Sequence, residues 1–183
     1  MAQPSNPSGP SRAPVHDGPR DAAYEIRIAR DGTWFYHGSP INRIELVKLF
    51  ATVLERDKNG DFWLITPAER GRIVVEDAPF VAVGVEFEGG GNDQRIVFRT
   101  NLDHELRAGP EHPIRVAFEP LSDEPSPYIL VRERVEARIS RAVFYDLVEH
   151  AVERPSARGT EIGIWSDRIF FVLGTLPTSE DRS

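Results

Sequence analysis

The sequence predicts an α+β protein made of two related strand–helix–strand units with mostly antiparallel sheets. Two segments with helical periodicity, residues 40–56 and 140–153, each follow one strand pattern and precede others. Most of the remaining chain alternates apolar and polar side chains between short polar turns, which is typical of antiparallel strands with one face in solvent. The two helical segments therefore have the same kinds of neighbour along the chain.

The first unit is predicted over residues 24–88. Asp31-Gly32 lies between two strand patterns and indicates a tight hairpin. The helix is expected from Pro40 to Arg56, with Ser39 as its N-cap and Pro40 at the first position, where a proline loses no hydrogen bond. Thr66 and Glu69 have the spacing of a capping box around one helical turn or a tight corner. Strands are expected at residues 24–30, 33–37, 62–65, 72–75 and 80–87.

A hairpin and a linker are predicted over residues 89–127, and the second unit over residues 128–176. The linker is placed at 119–127 because prolines there disfavour both a helix and a central strand. Residues 101–113 are polar and are expected to form a loop. The remaining elements are predicted in this order: strands 95–100, 114–118 and 128–137, a helix over 140–153, and a hairpin of 161–165 and 168–173.

The chain ends and the composition narrow the class of protein. Residues 1–23 and 177–183 are predicted to be disordered tails, since they lack the apolar side chains needed to order themselves. The sequence has no cysteine, which excludes a disulfide framework and a thiol nucleophile, and no apolar run long enough for a membrane span. We expect a soluble, cytoplasmic protein that does not bind membranes.

The charge distribution argues against nucleic-acid binding. The formal net charge is −7, whereas proteins that neutralise phosphates present a basic face. Two short stretches do concentrate arginines, and we expect these side chains to be solvated or paired with the more numerous carboxylates. They are Arg70, Arg72, Arg132, Arg134, Arg138 and Arg141.

An internal repeat is the most informative feature of the chain. A shift of 98 positions places Leu49 on Leu147 and Arg43 on Arg141, and it also aligns most other apolar positions of the two helices. Any two amphipathic helices resemble each other, but the flanking elements also occur in the same order. Duplication of one ancestral unit is therefore the favoured explanation.

Two dense motifs resemble the signatures of a bacterial family of proteins of unknown function. The first runs from Asp31 to Tyr36 and continues with Gly38-Ser39-Pro40-Ile41 and Arg43; the second is Thr66-Pro67-x-Glu69, then Ile73-x-Val75-Glu76-Asp77-x-Pro79-Phe80-Val81. The resemblance is close over residues 31–81 and looser over residues 128–174. It implies a two-domain α+β architecture with repeated motifs and a role in signal transduction. It brings no established activity and no set of catalytic residues.

None of the compact motifs that identify an enzyme or a cofactor site occurs in the sequence. There is no glycine-rich phosphate loop with its lysine, no dinucleotide fingerprint and no nucleophile elbow. The five histidines do not have the spacing of a helical metal site. We therefore predict no metal and no cofactor, and we favour binding over catalysis.

Arg43 and Arg141 are candidate ligand-binding residues because each lies in the first turn of a predicted helix. A cation there is mildly unfavourable beside the positive end of the helix dipole, so its presence in both units needs a reason. One interpretation is a bidentate bridge to Glu69, Glu76 or Asp77. The other is an anion-binding site formed by the arginine and free helix N–H groups.

The other candidate residues lie close to these helix starts in the sequence. Trp34 belongs to an aromatic run that is typical of a core strand and could also stack on a ligand. His37 follows that run, and a pair of carboxylates, Glu76-Asp77, precedes a predicted turn. Asp77 before Ala78-Pro79 is typical of an Asx turn, in which the carboxylate accepts from backbone N–H groups.

Three functions are consistent with these residues. The favoured one is a binding module in signalling that recognises a small anionic ligand or a partner protein between the two units. The alternatives are a hydrolase or transferase using Glu69, Glu76 or Asp77 with His37, and a structural subunit of a larger complex. The sequence does not indicate the oligomeric state.

Overall fold

The computed structural model describes residues 20–176, so residues 1–19 and 177–183 of the predicted tails lie outside the described residues. Strands dominate, and the predicted α+β class is confirmed. The amino-terminal elements are β1 (Arg20–Asp21), β2 (Ile26–Ile28), β3 (Trp34–Tyr36), β4 (Ser39–Pro40), α1 (Ile44–Thr52), β5 (Leu54–Arg56), β6 (Phe62–Ile65) and β7 (Glu69–Val75). Arg20–Asp21, which the sequence places in the tail, pairs in parallel with β7.

The carboxy-terminal elements form two further sheets around the second helix. They are β8 (Phe80–Glu88), β9 (Arg95–Thr100), β10 (Glu105–Arg107), β11 (Ile114–Phe118), β12 (Pro125–Arg132), β13 (Val135–Ile139), α2 (Arg141–Glu149), β14 (Val152–Ser156), β15 (Gly159–Ser166) and β16 (Ile169–Leu176). A short 3-10 turn at Gly91–Asp93 separates β8 from β9.

Sheet pairing is mostly antiparallel, as predicted, with a parallel contact in the middle of each large sheet and a further one where β1 joins β7 in the first. The first sheet has the order β4-β3-β2-β7-β6-β5, and β2 runs parallel to β7. The second has the order β10-β9-β8-β13-β12-β11, and β8 runs parallel to β13. The third is the meander β14-β15-β16. These parallel pairs bring together strands that are far apart in the sequence.

One hydrophobic core runs through both halves of the molecule. Its largest fully buried side chains come from every region of the chain and include Trp34, Phe80, Phe98, Leu147 and Ile164. Since burial of apolar area is the main stabilising contribution to folding, a continuous core favours cooperative folding of the two halves.

The first helix is shorter than the sequence predicts. Ser39 and Pro40 are not its N-cap and first residue, because they form β4 and pair with β3 through a tight turn in which His37 and Gly38 both have positive φ. Pro40 is tolerated there because β4 is an edge strand. The helix begins at Ile44, after Arg43 in the N-cap position, and ends at Thr52.

Of the two alternatives predicted at Thr66 and Glu69, the structure has the tight corner, which closes the β6–β7 hairpin, with Glu69 N–H donating to Thr66 Oγ1. Other local predictions are corrected by strand pairing. The predicted strand 128–137 is two strands separated by a turn at Glu133-Arg134. Residues 119–127 form the β11–β12 turn and the start of β12, and the predicted loop 101–113 contains β10.

The two helices keep the predicted element order but not the predicted register. Each is preceded by an antiparallel strand pair and followed by a three-stranded meander. The buried positions are Val47 and Ala51 in α1 and Val143 and Leu147 in α2, an offset of 96 residues. Leu49, placed on Leu147 by the 98-residue shift, is 61% exposed whereas Leu147 is fully buried. Duplication stays a prediction, with this changed register.

Candidate functional site

The helix-start arginines do not form the predicted carboxylate bridges. Among the ion pairs of residues 20–176, none involves Arg43 or Arg141, so the bridging interpretation is wrong. Arg43 occupies the N-cap position of α1 and is exposed. Arg141 is the first residue of α2, where its Nε donates to Tyr145 Oη at 2.9 Å. The Tyr145 hydrogen bond raises the pKa of Arg141, and the charge of the nearby Glu124 adds to the shift.

Two of the predicted acidic residues have other partners. Glu76 forms an ion pair with Arg27 and also accepts from the Arg30 backbone N–H at 3.0 Å. Glu69 accepts from the Tyr24 hydroxyl at 3.2 Å. Both contacts tie the first sheet together, since the partner residues lie on or next to β2 while the carboxylates lie on or next to β7.

Trp34 is buried in the core, whereas His37 is exposed to solvent. Trp34 is only 2% exposed and stacks on Phe50 with ring centroids 6.4 Å apart, as expected of a core residue. His37 is exposed at the β3–β4 turn and pairs with Glu25. Among the hydrogen bonds and ion pairs of residues 20–176, none joins His37 to Glu69, Glu76 or Asp77.

Asp77 is the centre of a polar cluster that joins the two halves of the chain. Its Oδ1 accepts from the Tyr128 hydroxyl at 2.7 Å, and its Oδ2 lies 3.4 Å from Arg138 Nε and 3.7 Å from Arg30 Nε. The Asx-turn interpretation is therefore wrong within the described structure, because the carboxylate has side-chain rather than backbone donors. Arg138 also donates to the Arg30 carbonyl at 3.1 Å.

The Asp77 cluster is partly shielded from water. The side chains of Asp77 and Arg138 are 14% and 24% exposed, and the two facing atoms, Asp77 Oδ2 and Arg138 Nε, are buried without an aligned hydrogen bond in the part of the chain described. Burial, together with the hydrogen bond to Asp77, raises the pKa of Tyr128 to about 12. The phenol therefore stays protonated and donates a hydrogen bond to the carboxylate, which also lies near two cations.

A cleft of about 550 Å³ opens beside this cluster. Its lining includes three guanidinium groups, from Arg30, Arg138 and Arg141, and two exposed carboxylates, from Glu119 and Glu124. Arg30 follows β2, whereas the other lining residues come from β12, β13, α2 and the turn before β12. The cleft therefore lies where the two halves of the protein meet.

Asp77 and Arg141 are predicted site residues, whereas Arg30 and Tyr128 have no sequence signal and Arg138 is predicted only as a solvated or paired charge. Tyr128 and Arg138 are direct cross-strand partners in the β12–β13 hairpin. A turn signal at Glu133-Arg134 would have revealed this pairing, but neither residue type is typical of a turn. Arg30 reaches the cluster through the parallel β2–β7 contact, which has no local signal.

The arginine-rich stretches have the predicted carboxylate partners in four of six cases. Arg70, Arg72, Arg134 and Arg138 form ion pairs with acidic side chains. Arg132 instead donates from Nη2 to the carbonyls of Ala51 and Leu54, at 2.7 and 2.8 Å, at the end of α1.

Comparison with protein-family models shows which family the chain is similar to. A model of the N-terminal domain of DUF1285, a domain of unknown function, matches residues 13–78, and a model of the C-terminal domain of the same family matches residues 79–173. The chain belongs to the DUF1285 family. The resemblance to a bacterial family of unknown function is thereby confirmed, and no curated protein matches the chain.

Two solved DUF1285 structures are similar to the protein. One, from Silicibacter pomeroyi DSS-3, has a TM-score of 0.77 at 43% identity and covers 92% of this chain and 91% of that chain. The other, from Shewanella baltica OS155, has a TM-score of 0.52 at 24% identity, covers 69% of this chain and 92% of that chain, and supports the fold alone.

The division between the two DUF1285 domains passes through the candidate site. The domain models meet between Ala78 and Pro79, one residue after Asp77. Arg30 and Asp77 therefore belong to the N-terminal domain, and Tyr128 and Arg138 to the C-terminal domain. For residues 20–176, no group of metal-ligating side chains and no helix suited to crossing a membrane is found.

Proposed function

We propose that the protein is a binding module that holds a small anionic ligand in the cleft between its two DUF1285 domains. The observation that carries the proposal is the convergence of Arg30, Arg138 and Arg141 on one cleft of about 550 Å³. This volume is within the range of about 300–1,000 Å³ that is usual for small-molecule sites. Sites at domain interfaces are also common.

The arginines retain capacity to bind an anion. Asp77 is shared by Arg30 and Arg138 at 3.7 and 3.4 Å, both longer than the roughly 2.7–2.9 Å of a charge-assisted hydrogen bond. Within residues 20–176 the Arg138 guanidinium donates one hydrogen bond, from Nη2 to the Arg30 carbonyl, and the Arg30 side chain is 61% exposed. Because guanidinium groups bind carboxylates and phosphates through two parallel N–H donors, an incoming anion would satisfy donors that the protein leaves unused.

The acidic residues of the cleft restrict the ligand. Glu119 and Glu124 line it, and Glu124 is close enough to Arg141 to raise the pKa of that guanidinium, after the larger effect of Tyr145. A ligand with anions on every side would be repelled there. We infer that the ligand carries its anionic group toward Arg138 and a hydrogen-bond donor or a cationic group toward the glutamates.

A role in signal transduction would follow from the position of the cleft. An anion that contacts residues of both domains binds best to one relative arrangement of those domains and shifts the population toward it. The partner-protein version of the proposal uses the same cleft for an acidic side chain of another protein. The separation of His37 from the carboxylates supports binding over acid–base catalysis.

Isothermal titration of the purified full chain with citrate, L-glutamate and inorganic phosphate tests the proposal. We expect saturable 1:1 binding of at least one of these anions, weakened about ten-fold or more by Arg141→Gln and by Arg138→Gln. Arg168→Gln is the matched control, because Arg168 is 81% exposed and pairs with Asp93 away from the cleft.

Arg141→Gln keeps the test valid if Arg138→Gln unfolds the protein, since Arg141 is exposed and bonded only to Tyr145 among the described residues. Absence of binding by all three anions would contradict the small-ligand version. Binding that survives both cleft variants unchanged would place the anion elsewhere and would equally refute the assignment.

A further inference from the structure

A second cavity, of about 520 Å³, lies within the N-terminal domain and shares no lining residue with the interdomain cleft. Helix α1 and the segment leading into it form one wall, and strands β2, β3 and β6 form the other. The lining is mainly apolar, as expected of a site for a small organic molecule. The apolar side chains are Ile26, Pro40, Ile41, Leu46, Phe50, Val53 and Leu64, and Tyr24 and Tyr36 add aromatic surface.

Arg43 is the only charged residue that lines this cavity within the described chain. It is exposed, and none of the ion pairs or hydrogen bonds of residues 20–176 uses its guanidinium group. The nearby polar residues Ser39 and Asn42 are uncharged. The cavity therefore combines a largely apolar wall with a single free positive charge, which favours an anionic over a cationic occupant.

Helix α1 has more apolar surface than the protein core covers. Val47 and Ala51 are 4% and 1% exposed and face the core. Leu46 and Phe50 are half-buried on the side that lines the cavity. Leu49 is 61% exposed on the remaining side. Leu46, Val47, Phe50 and Ala51 belong to one apolar stripe, and Phe50 also stacks on Trp34, so the cavity lies where the edge of this stripe is accessible to a ligand.

We propose that this cavity binds an amphipathic carboxylate, a molecule with an apolar body and one anionic end. The body would lie against Leu46, Phe50 and Leu64, where it would displace water from apolar surface. The carboxylate would lie at Arg43, whose guanidinium can donate two parallel hydrogen bonds. A highly charged ligand such as a polyphosphate does not fit, because the other lining residues offer it no cation.

The cavity is distinct from the interdomain cleft in its chemistry as well as its residues. The cleft has three arginines and two glutamates, and its ligand is a polar anion. The N-terminal cavity has one cation and a mostly apolar lining. Failure of citrate, glutamate and phosphate to bind the cleft would leave this second proposal intact, and the reverse is also true.

Sodium decanoate, used below its micelle concentration, is the probe for the N-terminal cavity, and decanol is its uncharged counterpart. We expect calorimetric titration of the full chain to show one decanoate bound per chain, at least ten-fold more tightly than decanol. Arg43→Gln should remove most of this preference, since it deletes the charge and leaves the apolar wall. Arg95→Gln is the matched control, because Arg95 is also exposed and lies on β9, outside the cavity.

Methyl NMR of the wild-type protein locates the bound chain without any substitution. Decanoate should shift the methyl resonances of Ile26, Ile41 and Leu64, which line the cavity, and leave those of Ile129 and Ile164, which are buried in the C-terminal domain. No saturable binding, or shifts confined to the C-terminal domain, would overturn the proposal. Equal affinity for decanoate and decanol would overturn the assignment of Arg43 to the anionic end.

Discussion

The carboxylate of Asp77 connects the two DUF1285 domains, and the substitution Asp77→Asn tests how much this connection contributes to stability. The substitution keeps the size of the side chain and an oxygen that can accept from Tyr128, but it removes the negative charge opposite Arg138 and Arg30. The Arg138 Nε, which is already buried without an aligned acceptor in the described part of the chain, would then lack its counter-charge. Both domains should therefore lose stability.

The size of the loss follows from the distances and the burial. At 3.4 Å, and with an effective dielectric constant of about 20, the attraction between Asp77 and Arg138 is roughly 5 kcal/mol before desolvation is subtracted. Breaking a fully buried pair costs about 3–5 kcal/mol, whereas an exposed pair contributes about 0–1 kcal/mol. With exposures of 14% and 24%, this pair lies between these limits. We expect Asp77→Asn to lower the free energy of unfolding by about 2 kcal/mol.

Urea denaturation followed by tryptophan fluorescence and by circular dichroism measures this change. The matched control is Asp93→Asn, which removes the same charge from an ion pair whose side chains are 81% and 70% exposed. We expect that control to change the free energy of unfolding by less than about 0.5 kcal/mol. A double-mutant cycle of Asp77→Asn with Tyr128→Phe separates the ion pair from the 2.7 Å hydrogen bond.

An Asp77→Asn protein within about 0.5 kcal/mol of the wild type would refute the reasoning. It would mean that water screens the cluster as effectively as it screens a surface pair. Equal losses in the Asp77 and Asp93 variants would lead to the same conclusion, since their only intended difference is burial.

Three further predictions concern the core, a close backbone contact and a buried phenol. Leu147→Ala should lower the free energy of unfolding by about 3 kcal/mol, because Leu147 is fully buried. Leu49→Ala should lower it by less than about 0.5 kcal/mol, because Leu49 is exposed. Equal losses would support the equivalence of Leu49 and Leu147 that the 98-residue shift predicts. Gly71→Ala should lower the free energy of unfolding by about 1–3 kcal/mol, since the added Cβ would lie 2.2 Å from a tyrosine ring. Gly174→Ala should leave the stability nearly unchanged, because the space around Gly174 is open. An unchanged stability of the Gly71→Ala protein would show that the tyrosine ring moves aside freely. Spectrophotometric titration of the wild type and of Tyr128→Phe should show Tyr128 ionising near pH 12, above the ordinary tyrosine value of about 10. Since the folded state holds this proton more tightly, its stabilising contribution is complete below about pH 10 and is lost as the pH rises through about 12. A difference between the wild-type and Tyr128→Phe titration curves centred near pH 10 would contradict this.

The helix register shows why part of the fold could not be predicted. Ser39-Pro40 has a valid helix-start signal, but its backbone pairs with β3 because His37-Gly38 forms a hairpin turn. The same residues carry a helix-start signal and follow a hairpin signal, and the structure has the hairpin, because it adds an edge strand to the first sheet. The offset of the buried helix positions was likewise misjudged, because Leu49 is apolar in sequence and exposed in the structure.

The candidate site was predicted only in part for a similar reason. Asp77 and Arg141 stood out because they occupy unusual local positions. Arg30 and Tyr128 occupy ordinary strand-end and strand positions, and only the packing of two domains brings them to the Asp77 cluster.

Local sequence patterns are sufficient to predict the α+β class, the family, the Asp31-Gly32 hairpin and the strands over 62–65, 95–100 and 114–118. These features depend on residues within a few positions of one another, where φ preferences and side-chain alternation act directly. Three other features come from tertiary contacts: the length of α1 follows from the pairing of β4 with β3, and the register of the two helices follows from which positions the core buries. The cleft at Asp77 depends on the parallel contacts β2–β7 and β8–β13, whose strands are joined only by long segments of chain. The energy of such contacts comes from burial that no local pattern records.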